Sequence, residues 1–220
     1  MNTFLLLLLC PLALAACGGT SDAPEQAAKP QLAFITNGVG AFWTIASKGV
    51  EVAAKEFNAD AEVQMPGEGV ADQKRIVQAM LARGIDGIAI SPIDPDNQTA
   101  LLNEAAANTN LITHDSDAPK SNRLVFIGID NYSAGRECGK LVKEALPDGG
   151  NIMIFVGRLE QLNARQRRQG VIDELFDRSF DPERRDPNSG VIAGDKYTVL
   201  DTRTDQFDYA KAKAQVEDAI

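Results

Sequence analysis

The sequence is poor in the residues that build metal centres and reactive sites. It holds one histidine, His114, and three cysteines in 220 residues. A lone histidine cannot build a metal site of the usual His-rich kind. Tryptophan occurs once, at Trp43. Positive charge is also scarce: 22 Lys and Arg face 31 Asp and Glu, for a net charge of −9. Nucleic-acid binding needs a basic face, so the balance argues against it. It disfavours a strongly anionic ligand as well, unless a local pocket overrides the global sign. No nucleophile–base pair, metal cluster or Walker-type phosphate loop is legible, so neither covalent chemistry nor a cofactor is expected. Beyond the N-terminus no apolar run reaches membrane-spanning length. What remains, 44% hydrophobic and 24% charged residues, is the composition of a globular protein.

Phe4 to Ala16 is almost wholly apolar. The run has the length of a signal h-region and is too short to span a bilayer as a helix. It closes with Leu14-Ala15-Ala16-Cys17-Gly18, which resembles the lipobox of bacterial lipoproteins. That resemblance implies cleavage before Cys17, a diacylglyceryl chain on its thiol, and a mature protein held at a membrane surface in the periplasm or cell envelope. Residues 1–16 are then the signal peptide. Residues 17–30, rich in Gly, Ala, Pro and polar residues, are a lipidated tether. An ordinary secretory signal with a chance cysteine is the plainer alternative. With Cys10 and Cys17 so assigned, Cys138 has no disulfide partner. Its helical setting, Ala134 to Leu141, points to a buried structural thiol.

From Gln31 the pattern alternates between short apolar strands and longer helical stretches. Strands are expected at Leu32–Thr36, Glu62–Met65, Gly87–Ser91, Leu111–His114 and Leu124–Ile129, with helices over 42–57, 70–83 and 96–108. The alternation then restarts: a helix over 132–146, a strand over 151–156, a helix over 163–176, a charged surface insertion over 177–188, a strand over 196–200 and a helix over 207–220. This is an α/β chain with parallel sheets flanked by helices. It divides into an N-terminal lobe, 31–130, and a partial C-terminal lobe, 131–220. The second lobe counts two strands, and the chain stops inside a helix without cap or final strand, so a C-terminal truncation is expected.

Five segments carry a family resemblance. They are Asn37 with Phe42-Trp43; His114-Asp115-Ser116-Asp117; Gly128 to Gly135; Asn163-Ala164-Arg165; and Leu200 to Phe207 with Asp208. In this order, at strand ends, they resemble the sugar-binding component of bacterial ABC importers of the ribose-binding-protein type, a type I periplasmic binding protein. The resemblance implies two Rossmann-like lobes, a monosaccharide (pentose or hexose) held between them by hinge closure, and delivery to an ABC transporter permease by a monomeric, lipid-anchored protein. It names Asn37, Phe42, Trp43, Asp115, Asn163, Arg165 and Phe207 as ligand-binding residues.

The chemistry of these positions agrees. In open parallel sheets, ligands sit beyond the carboxyl ends of strands. Carboxylate, amide and guanidinium groups match sugar hydroxyls, and aromatic rings match the apolar C–H faces. Asp115 is assigned as acceptor and Arg165 as donor. Other readings stand beside these. Phe42 and Trp43 could pack under their helix, Asp115 and Asp117 could be turn residues, Arg165 could be one of three solvated arginines, and Asn163 could be an N-cap. Asp94 reads as a helix-entry residue.

Rival functions are weaker. Gly38-Val39-Gly40 starts like a dinucleotide fingerprint, but Trp43 stands where the third glycine should be, which argues against a nucleotide-dependent enzyme. A regulator of the same fold would need an N-terminal DNA-binding motif where the leader sits. A sensor feeding a membrane kinase would have the same lobes and is not separated by sequence.

Overall fold

The computed structural model describes residues 28–220; the leader and the lipidation candidate Cys17 fall outside them. Five strands form the first sheet: β1 (Gln31–Ile35), β2 (Asp60–Gln64), β3 (Gly87–Ile90), β4 (Asn110–His114) and β5 (Phe126–Ile127). Their spatial order is β2-β1-β3-β4-β5, and every pairing is parallel. Helices α1 (Ala41–Glu56), α2 (Gly69–Ala82) and α3 (Pro95–Asn108) supply the crossovers. The sequence explains the boundaries. Asp94 caps α3 by accepting from the Asn97 N–H at 3.2 Å, and Pro95 opens its first turn. The central strand β3, Gly87-Ile88-Ala89-Ile90, is apolar throughout and lies between β1 and β4, largely buried. Its Ile88 and Ile90 pack with Ile35, Val77, Leu102 and Leu111 into one core. Each such side chain contributes about 1.5–3 kcal/mol by leaving water.

The second unit begins with α4 (Asn131–Ala145), whose cap is Asp130. It continues with β6 (Gly150–Val156), α5 (Leu162–Leu175), β7 (Ile192–Ala193), β8 (Tyr197–Thr204) and α6 (Tyr209–Glu217). The sheet order is β6-β8-β7, with β6 parallel and β7 antiparallel to β8. This corrects the count of two strands: β7 is a two-residue edge strand. It also extends the last strand four residues past Leu200. Helices α4 and α5 touch backbone to backbone. A Cβ on Gly170 would lie 2.2 Å from the Tyr132 carbonyl oxygen, so glycine is required there.

The segment 177–188 lies at the surface as an anchored loop. Fully buried Asp173 accepts from Tyr132 Oη (2.7 Å), Gln169 Nε2 (3.0 Å), Arg184 (2.6 Å) and Arg178 (3.3 Å). Buried Arg168 holds the far end through the carbonyls of Asp186 and Pro187. Cys138 is exposed, not buried, because its face of α4 turns towards the space between the units. Among the described residues no helix is long and apolar enough to cross a membrane.

Candidate functional site

The loops that leave the carboxyl ends of β1, β4, β6 and β8 converge on one cleft of about 810 Å³ between the two units. Its floor is set by buried amides. Gln73, fully buried on α2, donates to the carbonyls of Thr36 and Ser91, both at 2.8 Å. Its oxygen accepts from the Ile93 N–H (3.1 Å) and Gln98 Nε2 (2.9 Å). One side chain thereby fixes the loops after β1 and β3, which carry Asn37 and Ser91.

Asp115 lies at the centre, just past β4, with a left-handed φ of 58° that an Asp tolerates. Its Oδ2 accepts from Ser91 Oγ (3.0 Å), Asn37 Nδ2 (3.1 Å) and Asn163 Nδ2 (3.2 Å). The first two donors belong to the five-stranded unit, the third to α5 of the other unit. These three bonds fall on one oxygen, Oδ2. Burial pushes the Asp115 carboxyl above its usual value, opposed by the Ser91 bond, the Arg167 charge and the two amides.

Aromatic rings line the same cleft. Trp43 is 7% exposed and donates its indole N–H to Asn37 Oδ1 at 3.0 Å. Phe42, at the start of α1, is 65% exposed and meets Trp43 edge to face at 4.8 Å. Below them His114 stacks on Phe34 at 4.1 Å. Burial lowers the His114 pKa to about 4, and its Nε2 has no partner. Phe207 comes from the loop after β8. It and Gln206 both have left-handed φ, 65° and 60°. Its ring lies under the Arg158 guanidinium at 5.0 Å and packs on Gly157, where a Cβ would be 2.3 Å from it. The same ring approaches Gly38 of the other unit: a Cβ there would lie 3.8 Å away.

The structure thus gathers Asn37, Phe42, Trp43, Asp115, Asn163 and Phe207 around one space. Asn163 is not the N-cap; Gln161 is, and Asn163 sits one residue inside α5. Asp117 turns away into a pair with Arg123, at 2.5 and 2.7 Å. Arg165 is not brought to this space: its guanidinium binds Asp96 at 2.7 Å, and the arginines that line the cleft are Arg167 and Arg168. Sequence reasoning also missed Ser91 and Gln161. Gln161 is 3% exposed, lines the cleft and has an unpartnered Nε2. Its polarity at the mouth of a helix was the one available signal. Among the described residues no group of three His, Cys, Asp or Glu side chains is placed to hold a metal.

Residues 32–220 match the family model of the periplasmic binding protein domain. A curated protein of Rhizobium meliloti named for rhizopine binding is 25% identical over 140 residues, 61% of this chain and 45% of that protein. An ABC transporter solute-binding protein of Burkholderia graminis, solved with D-arabinose, is 25% identical. The match covers 86% of this chain and 61% of that one, with a TM-score of 0.75. Another from Agrobacterium vitis, solved with D-fucose, shares the fold at 24% identity and a TM-score of 0.73, covering 86% and 62% of the two chains. This chain spans under half the length of the curated relative and about three fifths of the solved ones.

Proposed function

Because this chain belongs to the periplasmic binding protein family and carries its type I α/β fold, we propose that it captures a monosaccharide between its two lobes outside the cytoplasm. The observation that carries the reading is the Asp115 carboxylate. It sits where both lobes meet, ringed by amide donors, beside exposed aromatic area. A neutral sugar presents hydroxyls on its edge and C–H groups on its faces. Asp115 Oδ1 accepts from the edge, and Arg167, Gln161 and Asn163 donate to it. Phe42, Trp43 and Phe207 cover the faces. The lobe boundary falls at residues 130 and 131, and closure about it excludes water. The relatives named for sugar or solute binding support binding over catalysis.

Delivery to an ABC permease, and a lipid anchor at Cys17 on a monomeric protein, complete the reading. The test uses Trp43, the single tryptophan. Its fluorescence in the full chain is titrated with a panel of pentoses and hexoses led by D-arabinose. One of them saturates the signal. A flat response to every sugar, confirmed by calorimetry, overturns the proposal.

A further inference from the structure

Arg165 has a role that sequence did not suggest. It projects from the first turn of α5 in the second lobe and its guanidinium binds Asp96 Oδ2 at 2.7 Å. Asp96 opens α3 in the first lobe. The other carboxylate oxygen, Oδ1, holds Lys120 Nζ at 3.1 Å, also from the first lobe. Asp96 is therefore positioned by its own lobe before the arginine arrives. The pair is partly shielded, with side-chain exposures of 22% for Arg165 and 44% for Asp96. Both residues border a smaller cleft of about 270 Å³, with Lys120, Glu183 and Arg185. That cleft shares no lining residue with the one around Asp115.

We propose that Asp96, Lys120 and Arg165 form an interlobe latch, which biases the free protein towards the closed arrangement and slows ligand release without touching the ligand. The inference rests on the two-lobe closure proposed above. An ion pair of this exposure shifts an equilibrium only modestly, by about two- to fivefold. The latch is a positioning device. Its strength falls with ionic strength, because Asp96 faces solvent.

Small-angle scattering of the sugar-free full chain decides the matter, with Arg165→Gln, Asp96→Asn, the double variant and Arg165→Lys compared at low and high salt. The expected result is a larger radius of gyration for each single variant, no further increase in the double, partial restoration by Arg165→Lys, and a salt response only in wild type and Arg165→Lys. Stopped-flow release of the tightest panel sugar should quicken about two- to fivefold in the single variants, with association unchanged. Equal sugar-free radii in wild type and both single variants overturn the latch. So does weaker sugar binding by Arg165→Gln at an unchanged radius, which would mean direct contact. If no sugar binds wild type, sugar capture fails, and the sugar-free radii still decide the latch.

Discussion

Replacing Asp115 by Asn separates the scaffold from the ligand contact. The three donors that converge on Oδ2, from Ser91, Asn37 and Asn163, need an acceptor. The Asn carbonyl oxygen supplies one in the same place, so folding stability should change by no more than about 1 kcal/mol. The amide nitrogen then occupies the position of Oδ1. A sugar hydroxyl that donated to a carboxylate now meets a neutral donor. Hydrogen bonds to charged groups contribute about 1.5–3 kcal/mol net, against about 0.5–1.5 for neutral ones. Losing that charge assistance on one or two hydroxyls weakens binding by roughly ten- to a hundredfold. The measurement is a calorimetric titration of the tightest panel sugar at neutral pH, beside thermal melting. Wild-type binding should also weaken on acidification as Asp115 takes a proton. It should begin above the ordinary Asp value, because burial raises this carboxyl. The Asn variant should lack that acid limb. Affinity within twofold of wild type, at intact stability, would refute the role assigned to Asp115.

Two further outcomes are expected. His114 has its pKa lowered from 6.5 to about 4 by burial, so on acidification the unfolded chain takes a proton that the folded one refuses. Stability is full above pH 6.5 and falls through the window down to about 4, by about 2 kcal/mol at pH 5. Thermal melts at pH 7 and 5 should show this loss in wild type and a smaller one in His114→Phe; equal losses would contradict it. Gly157→Ala places a methyl group in the Phe207 ring, which must swing from the cleft. Phe207 is half exposed, so stability should drop by no more than about 1 kcal/mol while sugar affinity falls several-fold; unchanged calorimetric affinity would count against Phe207 as a stacking surface.

Most of the first unit was legible because its signals are local. Short apolar runs separated by helical spacing give strands and crossovers, and Asp94-Pro95 marks a helix start. The edge strand Ile192–Ala193 was not, since two residues carry no alternation and depend on β8 for their pairing. β5 shrank from the expected 124–129 to two residues for a related reason. Apolar content suggested a longer strand, but the regular ladder with β4 holds only Phe126 and Ile127, while Leu124 and Val125 each make a single backbone bond to it. At the site, residues placed by a strand end, such as Asn37 and Asp115, could be read from sequence. Choosing among arginines on α5 could not. Arg165 and Arg167 lie two positions apart, about 200° around the helix. Which one meets the cleft depends on how α5 docks on its neighbours, a tertiary fact. Cys138 failed similarly: a helical setting in sequence says nothing about which helix face is covered. Ser91 and Gln73 act through partners 24 and 37 residues away, beyond any local pattern.

The arrangement around Gln73 separates what can vary from what cannot. Its four bonds stitch two loops and the entry to α3 beneath the cavity, whereas the groups that face into the cavity hang on the rim. On the sugar-capture reading proposed above, substitutions on that rim retune which solute is preferred, while the platform beneath keeps its shape. A change at this one amide would disturb every preference at once.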